Sequence, residues 1–251
     1  MTVIAVLADP PREGLVLPEL AATSPLTEAE AAECYAAMLR DVFVAVARSG
    51  GDLLVNYRAD DALPEEYRAD ESAEAAVRAV VADALGGTEG VRFEVQVGSS
   101  FDARAGNTVA HLLREDEVKT AAVVRGNAPF LGRPAVDSAA MKLRSNPVVV
   151  GPSTAGRTYY AAFGDPIDFD GAFSPPELTT LTTRALSADL DVDFLPVQPV
   201  VERGEDLLTA IPLVEARSEA GRIVPAHFAA FLDRVGLGVV GEGDGARLVR
   251  E

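Results

Sequence analysis

Four short stretches of this chain place polar or charged residues just where an apolar run ends. The first, Asp9-Pro10-Pro11-Arg12-Glu13-Gly14, follows Val3-Ile4-Ala5-Val6-Leu7 and leads by way of Leu20 to a strong helix start. A Pro/Gly loop between a strand and a helix can offer backbone N–H groups to phosphate, and Arg12 is the only cation in it. The second, Arg125-Gly126-Asn127, follows Ala121-Ala122-Val123-Val124, and its guanidinium suits a phosphate or a carboxylate. The third holds Ser153, Thr154, Gly156 and Arg157, with two hydroxyls able to line an acceptor pocket. The fourth is Glu202, an acid just ahead of the helix signal Glu205-Asp206-Leu207. Each stretch also reads as ordinary structure: a surface turn, a strand-end turn with a structural Asn, a tight link between two strands, an exposed acid before a helix.

The elements that would carry these stretches alternate along the chain. Thr27-Glu28-Ala29-Glu30 forms a capping box that opens a helix continuing to Arg48. A strand over 52–57, a helix from Asp70 to about Leu85 closed by Gly86-Gly87, a strand over 91–97 and a helix over 102–114 follow. The run 121–124 is apolar throughout, as in a strand covered on both faces. A helix over 134–143 and a strand over 147–151 come next, and the strand over 158–163 lies too close for a crossover helix. One local antiparallel or edge pairing is therefore expected. Pro175-Pro176-Glu177 opens a helix, a strand spans 192–196, and two short helices run near 205–210 and 225–235. These alternations predict a three-layer α/β/α domain with a mostly parallel sheet over 1–236, and a tail over 237–251 forming a small hairpin around Gly243-Asp244-Gly245.

Composition narrows the function classes. Apolar residues make up 48 % of the 251 positions while aromatics make up 6 %, so a sizeable core must be built mainly of Ala, Val and Leu. No run of roughly 18 apolar residues exists to span a membrane, and no basic segment leads into an apolar one at the N-terminus, which points to a cytoplasmic protein. Cys34 falls within a helix pattern as a small buried hydrophobe, and His111 and His227 lie too far apart in sequence to suggest a zinc site. The formal charge is −17, and Lys119 and Lys142 are the only lysines. Although an acidic protein from a high-GC genome is the plainer reading, that balance is expected of a protein from a salt-accumulating organism such as a halophilic archaeon, where molar salt cuts the screening length to about 3 Å. It also argues against nucleic acid as a partner, since phosphate neutralisation needs a basic patch.

Taken in order, the stretches resemble a GT-A-like family of glycosyltransferase homologues, related to the phospholactate guanylyltransferases and other enzymes of sugar-nucleotide chemistry. The resemblance covers roughly residues 2–210. The first loop is similar to Lys-x-Pro-x-Pro-Gly-x-Val-Lys-Thr-Arg-Leu, with Asp9, Leu17 and Glu19 in place of the three basic residues. The second is similar to Gly-Ser-Asp-x-Pro-x-Leu with Asn127 at the acid, and the third to Gly-Pro-x-x-Asp-Gly-Gly with Ala155 and Arg157 substituted. The fourth is similar to Asp-x-Asp-Thr-Pro-Glu-Asp-Leu with Val200 and Glu202 at the two acids.

The resemblance implies a GT-A, nucleotide-diphospho-sugar transferase-like fold and a nucleotide or sugar-nucleotide ligand. Asp9, Arg12, Gly14, Arg125, Gly126, Asn127, Ser153, Thr154, Gly156 and Arg157 would line the nucleotide and substrate site. Glu202 and Asn127 would hold Mg²⁺ or Mn²⁺ if the protein is active, although an amide brings the ion no charge. Three functions remain open: a transferase in which Arg12, Arg125 and Arg157 replace the lost cations, a catalytically silent homologue that keeps a nucleotide or small-molecule pocket, and a homodimeric scaffold.

Overall fold

The apolar run at the N-terminus becomes β1 (Thr2–Ala8), buried on both faces, in a computed structural model that describes residues 2–114, 118–243 and 245–250. It lies inside a seven-stranded sheet with β2 (Asp52–Tyr57), β3 (Arg92–Val95), β4 (Thr120–Arg125), β5 (Val148–Pro152), β6 (Thr158–Phe163) and β7 (Val192–Phe194). The order is β3-β2-β1-β4-β6-β5-β7. β1 pairs in parallel with β2 and with β4, setting Leu7 opposite both Asn56 and Arg125. The short link between β5 and β6 does give an antiparallel pair. β6 is not an edge strand, however: it runs antiparallel to both β4 and β5, between them.

Alternation along β1 decides which helix covers which face. Ile4, Val6 and Ala8 pack with α2 (Glu28–Ala47), α3 (Ala73–Leu85) and α5 (Arg133–Lys142). Val3, Ala5 and Leu7 pack with α4 (Phe101–Arg114) and α6 (Glu177–Ser187). The result is the three-layer α/β/α architecture with a mostly parallel sheet. A third cluster fills the far side of α2, where α1 (Pro18–Thr23), α7 (Gly204–Glu219) and α8 (Ala226–Val235) meet. Cys34 is fully buried there.

Thr27 and Glu30 form both halves of the capping box that starts α2. The third strand is shorter than the expected 91–97, spanning Arg92–Val95. The helix expected near 205–210 continues to Glu219 through Pro212. Proline removes one helical hydrogen bond, but Leu207, Ala210, Ile211 and Val214 bury a continuous stripe that holds the helix together. The one-turn α1 inside the first loop was not foreseen. The tail forms the hairpin β8 (Leu237–Glu242) and β9 (Gly245–Arg250), with Asp244 of the expected turn lying outside the described residues. No helix among the described residues is long and apolar enough to cross a membrane.

Candidate functional site

In open α/β sheets a crevice forms beyond the carboxyl ends of the strands, where the strand order reverses. Here that point lies between β1 and β4. A pocket of about 260 Å³ opens there, lined by Asp9, Leu15–Glu19, Tyr35, Phe101, Arg125, Gly126, Asn127 and Glu202. Gly126 is needed because a Cβ on it would stand 2.7 Å from the Tyr35 hydroxyl.

The first loop frames the pocket without its expected charge. Leu17, at one lost basic position, takes a left-handed φ of 51° at the start of α1, a conformation seldom adopted by non-glycine residues. Gly14 has a φ of 73°, and a Cβ there would stand 3.2 Å from Tyr67 and 3.3 Å from Glu28. Arg12 turns away from the pocket: its guanidinium donates to Asp60 Oδ1 at 3.1 Å and to the carbonyls of Tyr67 and Glu71 at 2.7 and 2.6 Å. It pins the segment after β2 instead of reaching a ligand. Asp9 donates its backbone N–H to the Tyr35 hydroxyl, and its carboxylate sits 3.1 Å from Arg58 Nε. Burial pushes the Asp9 pKa up, with Arg58 and Arg104 opposing.

Arg125, Asn127, Arg157 and Glu202 do converge. Glu202 Oε1 accepts from Arg125 at 3.5 Å and from Asn127 Nδ2 at 3.2 Å, while Oε2 accepts from Arg157 at 3.3 Å. Two carboxylates that sequence reasoning missed complete the network. Asp206 takes both terminal nitrogens of Arg157 and also accepts the backbone N–H groups of Glu202 and Arg203. Burial raises the Asp206 pKa, but Arg157 and those donors outweigh it and hold the carboxyl below its usual range. Glu177 accepts from Arg125 at 2.6 Å and from the Thr158 N–H and hydroxyl. Burial dominates for Glu177 and raises its pKa. Arg125 also lies 4.1 Å above the Phe101 ring, a cation–π contact.

The hydroxyl stretch serves the backbone. Ser153 is buried with its Oγ accepting from Val200 N, and Thr154 Oγ1 accepts from Arg157. Gly156 has a φ of 71°, and a Cβ there would stand 3.0 Å from Pro176. None of the three lines the pocket between β1 and β4.

The residues at the expected metal position do not fit a divalent ion as they are arranged. Both Glu202 oxygens already face guanidinium or amide donors. The Asn127 Oδ1 is buried without a hydrogen-bond partner, but it is a single neutral ligand. Among the described residues no group of three or more His, Cys, Asp or Glu could hold a metal. The fixed positive charge at this place comes from Arg125 and Arg157.

Sequence reading also missed Arg58 and Arg104, which flank Asp9. The only sequence signal for Arg58 was its position one residue past a strand, and Arg104 looked like any polar residue in the first turn of a helix.

No family model matches the chain, and no curated protein matches it significantly. Solved structures do. One is a "putative nucleotide-diphospho-sugar transferase" from Desulfovibrio desulfuricans, with a TM-score of 0.72 at 18 % identity over 93 % of this chain and 95 % of that one. A cytidylyltransferase from Leptospira borgpetersenii aligns with a TM-score of 0.51 at 10 % identity, over 93 % and 94 % of the two chains. The 4-diphosphocytidyl-2C-methyl-D-erythritol synthase of Anaerococcus prevotii gives 0.50 at 12 % identity, over 86 % and 98 %. The chain has the nucleotide-diphospho-sugar transferase-like fold.

Proposed function

We propose that the protein binds a nucleotide or sugar-nucleotide in the pocket between β1 and β4 and acts as a transferase of the glycosyl or nucleotidyl class. The observation that carries this reading is Arg125. It lines the pocket at the point where the strand order reverses and rests on Phe101, with one terminal nitrogen held by Glu177 at 2.6 Å while the other reaches Glu202 only at 3.5 Å. A ligand phosphate can therefore take the donor that faces Glu202 while Glu177 keeps the other. Transferase chemistry on this fold needs charge placed against a leaving pyrophosphate. Arg125 is the group that would supply it, since Arg12 is tied to Asp60 and the Tyr67 carbonyl and Arg157, which does not line the pocket, is tied to Asp206. The link to phospholactate guanylyltransferases drawn from the loop pattern, a cytoplasmic location and a salt-accumulating source belong to this same reading.

A second reading is a catalytically silent homologue that retains the pocket. It is favoured by the saturation of Glu202 and Asp206 with internal partners. Thermal unfolding with a panel of nucleoside diphosphates and sugar-nucleotides, with and without Mg²⁺, separates the two. A stabilisation lost in Arg125→Gln, together with transfer to an acceptor, supports the transferase. The same stabilisation without turnover supports the silent homologue. No stabilisation at millimolar ligand would sink both.

A further inference from the structure

Arg104 is held where a cation is disfavoured, and among the described residues its side chain has no hydrogen-bond or ion-pair partner. It sits in the first turn of α4, at the positive end of the helix dipole. Its Nε is buried without a hydrogen-bond partner, and among the described residues its guanidinium makes no ion pair. Burial lowers its affinity for the proton; Asp9 opposes this, but Arg58 and Arg125 repel it further. The carboxylate that attracts it, Asp9, is already paired with Arg58 at 3.1 Å. One positive charge in this corner is therefore left over, in a protein whose net charge is −17. Unfavourable charge concentrated beside a crevice is characteristic of a binding site.

The placement is specific. Asp9 and Arg58 leave adjacent strands β1 and β2, and the Arg58 N–H bonds the Ala8 carbonyl. Phe101, one helical turn before Arg104, lines the pocket beside Arg125. The corner thus adjoins the crevice on the side away from Glu202, Arg157 and Asp206.

We propose that Arg58 and Arg104 form a subsite for an oxyanion, a phosphate or carboxylate group, with Asp9 as the internal counter-ion that the bound anion relieves. Two guanidinium groups on separate elements can donate several charge-assisted hydrogen bonds to one such group. The subsite does not depend on the nucleotide reading and needs no metal.

The test is titration calorimetry at low ionic strength with inorganic phosphate and, separately, succinate, using the whole chain and the variants Arg104→Leu, Arg58→Gln and the surface control Arg184→Gln. Wild type and Arg184→Gln are expected to bind one of the two anions. Arg104→Leu and Arg58→Gln are expected to weaken that binding about tenfold or more, the loss of a charged hydrogen bond. Which anion binds identifies the group as phosphate or carboxylate. Without anion, Arg104→Leu is expected to unfold at the same temperature as wild type or higher, because it removes a half-buried charge that makes no ion pair among the described residues. Binding of neither anion at tens of millimolar, roughly the concentration a pair of charged hydrogen bonds should satisfy, would overturn the proposal. So would unchanged affinity in Arg104→Leu, and a lowered unfolding temperature there would mark Arg104 as a structural residue.

Discussion

Arg157 and Asp206 meet through both guanidinium nitrogens and both carboxylate oxygens. The pair joins the start of β6 to the first turn of α7, and Asp206 spends a further oxygen contact on the N–H groups that precede that helix. The consequence is that Glu202, one residue before Arg203, is held in a fixed position beside the pocket.

Removal of one partner should therefore be costly. Arg157→Leu leaves Asp206, whose side chain is 4 % exposed, as a buried charge without a counter-ion. A loss of about 3 kcal/mol is expected from urea unfolding, in the range for broken buried pairs. Asp206→Asn should cost less, and the double variant less than the sum of the two.

The pH dependence of two carboxyls should run in opposite directions. The Asp206 pKa is lowered on folding, so its contribution is complete above the unfolded value of about 3.9 and is lost as pH falls below it. The Glu177 pKa is raised, so its contribution is complete below about 4.3 and is lost as pH rises through the folded value. Thermal unfolding from acid to neutral pH should show the gap between wild type and Asp206→Asn widening with pH. The gap between wild type and Glu177→Gln should move against wild type.

Asn127→Asp restores the acid of the related loop pattern. It removes the Nδ2 donor to Glu202 and to the Val201 carbonyl and sets two carboxylates side by side. Destabilisation of about 1–3 kcal/mol is expected. Addition of Mg²⁺ should raise the unfolding temperature of this variant and leave wild type unchanged, a difference that scanning fluorimetry can read.

Gly204→Ala tests how tightly α7 is seated. A Cβ there would fall 2.0 Å from the Thr23 carbonyl oxygen, on backbone that cannot rotate aside. The start of α7 must shift, at a cost of about 2 kcal/mol or more in chemical unfolding.

Surface charge gives a fifth expectation. With a net charge of −17, the unfolding temperature should climb as KCl is raised toward about 1 M, where charges more than about 3 Å apart are screened from one another. A flat or falling curve would count against a salt-adapted surface.

The elements were legible because their signals are local. The Val3–Leu7 run, the Thr27–Glu30 capping box and the close spacing of β5 and β6 each act through near neighbours in the chain. The helix expected near 205–210 runs on through Pro212 because burial that a sequence window cannot see outweighs a local breaker. The site divides along the same line. Arg125, Asn127 and Glu202 were marked by lying just after apolar runs, and the fold does bring them together.

By itself, then, the sequence determined the order of strands and helices, the aliphatic core and the loss of basic residues from the first loop, all properties of residue type and short-range spacing. Only the tertiary structure decided where the remaining charges went. Arg12 is drawn 55 positions along the chain to the Tyr67 carbonyl, and Arg157 is drawn 49 positions to Asp206. Arg104 is left beside Asp9 and Arg58, and among the described residues its side chain makes no ion pair of its own. Ion pairing is settled by which side chains the folded backbone brings within a few ångströms and how far burial strips them of water, and neither quantity exists until the sheet and its helices have packed.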